Sequence, residues 1–146
     1  MWAFALHDQE TQEVFLSRDP FGEKPLLLAR RGDQLVFASE MGALRSALGE
    51  LAADPVSLLS FLALGRLPSA TAEWYAGVDS LAPGHNLVFD LATRSIEISP
   101  YFDLDANAAS GPGVHALGDD LQVRFDAVLE RAVARTLRSD VPVGSY

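Results

Sequence analysis

The run R-D-P-F-G-E-K-P-L at residues 18–26 holds the densest chemistry in this chain: Arg18 beside Asp19, then Glu23 beside Lys24. A carboxylate next to a cation is the minimum inventory for acid–base work. Adjacent residues at a strand end point to opposite faces, so Arg18 and Asp19 do not converge on one substrate atom. They read instead as a turn carboxylate and a loop anchor. Taken by themselves, Glu23 and Lys24 read as an exposed ion pair in a turn, which stabilises little. Glu40 follows a helix-cap signal at Ser39 and reads as a first-turn acid. His7, His85 and His115 are scattered over strand, turn and linker, with no metal-ligand spacing. Asp103 and Asp105 bracket Leu104, too few oxygens for a cation. The chain has no cysteine, which excludes a thiol nucleophile, a disulfide or a thiolate metal site within it.

The elements that must position these residues follow from periodicity. Large side chains alternate at Trp2, Phe4 and Leu6, which predicts a buried strand over residues 1–6. A second strand is predicted over 13–17. Asp19-Pro20-Phe21-Gly22 then carries turn chemistry: an Asx acceptor, a preset φ and a closing glycine. Strands over 25–29 and 34–38 complete what reads as an antiparallel meander. A helix over 40–48 ends at Gly49. Asp54-Pro55 begins another, with Asp as N-cap and Pro at the first helical position, and Gly65 stops it. A short strand at 78–81 precedes the Pro83-Gly84 turn. A hairpin over 86–90 and 95–99 follows. Trp2 and Trp74 read as core or interface aromatics.

Residues 106–118 are rich in Ala, Ser, Gly and Pro, the composition of a linker. The most regular helical pattern comes next, over 120–138, with Leu121, Phe125, Val128, Leu129, Ala132, Val133 and Leu137 on one face. Asp119 and Asp120 stand at its positive end and Arg131, Arg135 and Arg138 toward its negative end. Pro142 prevents continuation.

Composition narrows the partners. A net charge of −9, with Arg30-Arg31 as the tightest basic pair, argues against nucleic acid. No apolar run reaches the ~18 residues of a membrane span, and no secretory signal is evident, so the expected location is the cytoplasm and no membrane partner is expected. Hydrophobic content of 49% is enough to build a core.

Several segments together resemble the glutamine-dependent asparagine synthase family. M-W-A-F-A-L-H-D at 1–8 looks like a strand of its glutaminase domain. R-D-P-F-G-E-K-P-L-L at 18–27 resembles that domain's most recognisable segment, although tyrosine is common where Leu27 stands. F-A-S-E-M-G-A-L at 37–44, V-D-S-L-A-P-G-H at 78–85 and Tyr101-Phe102-Asp103 follow in the family's order, with Gly42 standing where lysine is frequent. S-D-V-P-V-G-S-Y at 139–146 resembles the segment that runs into the family's S-G-G-x-D-S loop.

The resemblance implies an α+β chain. Residues 1–104 would be the later part of an N-terminal-nucleophile (Ntn) glutaminase sandwich, 105–118 a linker, and 119–146 the entry to an α/β ATP-pyrophosphatase domain. It implies a parent that releases ammonia from glutamine with a cysteine, adenylates aspartate with ATP and Mg2+, and channels ammonia between the sites. The cysteine, the glutamine-binding arginine and the oxyanion Asn-Gly would stand before Met1, and the ATP loop after Tyr146. Residue 2 is Trp2, where a nucleophilic cysteine would follow an initiator methionine. By family position Met1, Glu23 and Lys24 lie near the ammonia path, while Arg18, Asp19, Gly22 and Pro25 form the structural motif. No catalytic residue, metal site or cofactor is expected in these residues. Partners would be glutamine, aspartate and ATP for the parent, the missing halves of its own domains, and a possible homodimer. Two other readings share these residues: another amidotransferase, of the β-lactam synthetase or lasso-peptide cyclase type, and a non-catalytic partner subunit of a split synthase.

Overall fold

A computed structural model describes residues 1–104, 106, 120–142 and 144. Its strands are β1 (Ala3–Asp8), β2 (Glu13–Arg18), β3 (Leu27–Arg31), β4 (Gln34–Ala38), β5 (Val78–Ser80), β6 (His85–Asp90) and β7 (Ile96–Pro100). The helices are α1 (Met41–Leu48), α2 (Pro55–Leu64) and α3 (Leu121–Thr136). The architecture is α+β with two antiparallel sheets, one ordered β1-β2-β6-β7 and the other β4-β3-β5. Two compact units divide the chain, Met1–Leu104 and Asp105–Tyr146. Among the described residues no helix is long and apolar enough to cross a membrane. The 105–118 segment apart from Ala106, with Asp105 and His115, lies outside the described residues, as do Asp119, Val143, Ser145 and Tyr146.

The first 38 residues are not one meander. β1 pairs with β2 and β3 with β4, but the second neighbour of β2 is β6 and that of β3 is β5. The cause is the connection after β2. Backbone N–H groups that a tight hairpin would place in a ladder are taken up by the Asp19 side chain. The chain therefore leaves the first sheet and starts the second at Leu27.

β3 is the centre of the unit. Leu26, Leu27, Leu28 and Ala29 are all buried, as expected of a strand covered on both faces. Leu26 and Leu28 join Leu16, Leu81, Leu87 and Phe89 between the sheets. Leu27 and Ala29 turn the other way, onto Leu44 of α1 and Val78. The strand begins at Leu27, two residues later than Pro25, because Pro25 has no N–H to offer a ladder.

β1 departs from the expected burial. Phe4 and Leu6 are 46% and 59% exposed. Its register places them on the face that carries Phe15, with the Phe4 and Phe15 rings 6.0 Å apart. The opposite face, through Ala3, meets the core. Alternation in the sequence separates the two faces but does not say which one is covered.

Helix α1 starts one residue later than Ser39 suggests. Glu40 is its N-cap, with no side-chain cap bond, and its carbonyl accepts from Ala43 and Leu44 N–H. Glu40 therefore lies outside the first turn. At α2 the Asp54 carboxylate accepts from Ser57 N–H at 2.7 Å with Pro55 at the first position, and Gly65 closes the helix in the left-handed region. Helix α2 leaves Val56, Leu59, Phe61 and Leu62 exposed. Helix α3 is shorter than 120–138 and buries no residue.

Leu16 is 0% exposed and sits where the two sheets meet. Leu16→Ala is expected to destabilise the first unit by about 2–5 kcal/mol, the range for a fully buried leucine. Urea unfolding followed by tryptophan fluorescence measures it, and a loss below about 1 kcal/mol would show that the site collapses around the cavity.

Candidate functional site

The segment after β2 is built around one buried carboxylate. Asp19 is 1% exposed. Its Oδ1 accepts N–H bonds from Phe21 at 3.2 Å and Glu23 at 3.1 Å, and its Oδ2 accepts from Lys24 at 3.0 Å. Its main chain is engaged as well. Asp19 N–H donates to Trp2 O at 2.9 Å, and Asp19 O accepts from Gly22 at 3.1 Å and Gly84 at 3.0 Å. One residue thus ties β1, its own turn and the Pro83-Gly84 turn together.

Arg18 is the complement, satisfying carbonyls where Asp19 satisfies N–H groups. Its Nε donates to Lys24 O at 2.9 Å, Nη1 to Leu81 O at 2.6 Å and Nη2 to Gly22 O at 3.0 Å. Gly22 has φ +66°, and a Cβ there would lie 2.8 Å from Pro83 Cγ, so only glycine fits. Pro25 is exposed and separates the turn from the buried run of β3.

The electrostatics follow from this geometry. Burial pushes the Asp19 carboxyl up, but the N–H groups of Lys24, Glu23 and Phe21 outweigh it and hold the group below its ordinary value. The Tyr101 hydroxyl donates to Arg18 O at 2.6 Å. Burial, and then the negative Asp19, raise its pKa, so it stays a donor.

Glu23 and Lys24 are placed by their backbones alone. Both side chains are exposed. Among the described residues neither makes an ion pair; the pair present is Arg94 with Asp33 at 4.0 Å. Met1 is exposed and precedes Trp2, whose carbonyl is held by Asp19. Sequence reasoning did not place Trp2, Gly84, Tyr101 and Phe102 at this knot. The usable signals were the Pro-Gly turn and the aromatic pair directly after the last strand.

Chemically the knot is a positioning device. The Asp19 oxygens are occupied by N–H donors and the Arg18 nitrogens by carbonyls, so neither is free to act on a substrate. Elsewhere, His85 donates from Nδ1 to Pro83 O at 2.8 Å, and the Ser80 hydroxyl donates to Glu73. A cavity of about 670 Å3 is lined by Leu28, Leu35, Leu87 and Ile98 with Asp79 and His85. Among the described residues no three His, Asp or Glu side chains are grouped to hold a metal ion.

The model of the glutamine amidotransferase domain matches residues 1–102, and the chain belongs to that family. It is similar to three proteins named asparagine synthetase (glutamine-hydrolyzing). The putative enzyme 2 of Methanocaldococcus jannaschii is 30% identical over 151 residues, and enzyme 2 of Bacillus subtilis 30% over 154. The putative enzyme of Mycobacterium bovis is 34% identical over 154. Each comparison takes in 100% of this chain but only 28%, 20% and 22% of the relative. The chain therefore spans between a fifth and somewhat more than a quarter of their length.

The knot makes a pH-dependent prediction. Asp19→Asn is expected to lower stability by about 1–3 kcal/mol at neutral pH, because buried N–H groups lose a charged acceptor. The folded-state value lies below the ordinary 3.8. The stabilisation is therefore complete above 3.8 and disappears as pH falls through the folded value. Denaturant melts from pH 7 to pH 2 should show the gap between the two proteins closing only below 3.8. A gap independent of pH would show that charge is not what holds the turn.

Proposed function

We propose that this chain is part of a glutamine-dependent asparagine synthase. In this reading 1–104 is the later portion of an Ntn-type glutaminase domain, 105–118 a linker, and 119–146 the entry to an ATP-pyrophosphatase domain. The observation that carries it is the match of the whole chain to proteins named glutamine-hydrolyzing asparagine synthetase, running past the amidotransferase match that ends at residue 102. The reaction consumes glutamine, aspartate and ATP and yields asparagine, glutamate, AMP and pyrophosphate.

The chain's own share of that reaction is conformational. Glutamine hydrolysis in this family uses a cysteine, and none of the 146 residues is cysteine. The described residues offer no metal cluster, and the sequence contains no S-G-G-x-D-S loop for a nucleotide. ATP and Mg2+ are assigned to the rest of such an enzyme. What these residues supply is the rigid turn at 18–24. We assign Met1, Glu23 and Lys24 to the path taken by ammonia. Support for this is the exposure of all three and the fixed main chain beneath Glu23 and Lys24.

The test has two parts. The full-length protein that contains this chain, given amide-labelled glutamine, aspartate and ATP, is expected to form labelled asparagine. The purified 146-residue chain is expected to release no ammonia from glutamine. Ammonia release by the chain alone, or amide transfer to an acceptor other than aspartate, would refute the reading.

A further inference from the structure

Tyr101 and Phe102 follow β7 directly, just before the first unit ends at Leu104. Their main-chain N–H groups both donate to Gly84 O, at 2.8 and 3.1 Å. The Tyr101 hydroxyl donates to Arg18 O at 2.6 Å. Its ring stacks on Trp2, with centroids 6.2 Å apart and planes 21° apart. The Phe102 ring meets Phe21 edge-on at 5.9 Å. Packing leaves no slack: a Cβ on Gly84, at φ +68°, would lie 2.5 Å from Phe102 O.

Every one of these partners is also a member of the Asp19 knot. Trp2 O, Phe21 N–H and Gly84 N–H all bond to Asp19. Arg18 grips the carbonyls of Gly22 and Lys24. The exit of the first unit and the turn that carries Glu23 and Lys24 are thus fastened to the same few atoms.

We infer that Tyr101 is a positioning residue that couples glutamine hydrolysis to use of the ammonia. It does so by fixing the direction in which the chain leaves the first unit relative to the Glu23–Lys24 turn. This rests on the synthase reading above. A group displaced by about an ångström from its working place loses much of the benefit of positioning. Ammonia that meets a loosened path escapes to water, while each separate reaction proceeds.

The experiment uses the full-length enzyme with Tyr101→Phe, which keeps the ring and removes the hydroxyl, and Tyr101→Ala, which removes both. Glutamate and asparagine are counted from the same reaction. Glutaminase activity and synthesis from free ammonia are measured separately. In Tyr101→Phe the glutamate-to-asparagine ratio is expected to rise by about twofold to tenfold, the span that one net hydrogen bond covers. It rises further in Tyr101→Ala, and both separate activities of Tyr101→Phe stay at wild-type levels. An unchanged ratio in both variants overturns the inference. So does a parallel fall of the two separate activities with the ratio intact, since Tyr101 would then serve stability alone. A wild-type enzyme that makes no asparagine from glutamine defeats the synthase reading itself, an outcome read without either variant.

Discussion

The Asp19 carboxylate accepting three backbone N–H groups is the constraint on which the rest of the first unit depends. A buried carboxylate is costly unless its oxygens are filled. Here they are filled by the chain's own turn, so removing the charge also strands donors at Phe21, Glu23 and Lys24. Arg18 treats the carbonyls of Gly22, Lys24 and Leu81 in the same way. The two residues are neighbours pointing apart, and each supplies what the other cannot. An ion pair between them would have satisfied two side chains; their separation satisfies six backbone groups.

This arrangement explains why the chain changes sheets. After β2 the backbone has no free N–H groups with which to continue as a hairpin. It emerges instead at Leu26, whose carbonyl accepts from Leu81 N–H at 2.9 Å. β3 is thereby threaded between the first sheet and α1 and can bury both of its faces. The knot and the core are mutually dependent. Leu81 belongs to the core cluster by its side chain and to Arg18 by its carbonyl.

The sequence was most informative where local chemistry decides the outcome. Asp54-Pro55 and Gly65 bound α2 because a cap, a fixed φ and a left-handed stop act within a few residues. The final hairpin was legible for the same reason: the Asp90 carboxylate closes its turn on Ala92 and Thr93 N–H. What depends on distant neighbours was not legible. Which face of β1 is covered is decided elsewhere in the fold, by what Ala3 meets. Turn chemistry at residues 19–22 was readable from residue types. The convergence of Trp2, Gly84 and Tyr101 on that turn was not, because its bonds join residues far apart in the chain, 83 positions in the case of Tyr101 and Arg18.

Rigidity and reactivity are separated in this unit. A group that works as a general base needs a free lone pair within reach of the proton it takes. Asp19 is buried, below its ordinary pKa, and saturated with donors, so it is poorly suited to accept a proton. The side chains the knot presents, Phe21, Glu23 and Lys24, are the exposed ones. Their backbones are held from beneath by Asp19 and Arg18, and the entropy of ordering that main chain is already lost on folding. Such a turn can offer side chains to a passing molecule or an adjoining surface at little further conformational cost. The aromatic exit at Tyr101 and Phe102 shares this support. Movement at the end of the unit is therefore opposed by the same bonds that fix the turn.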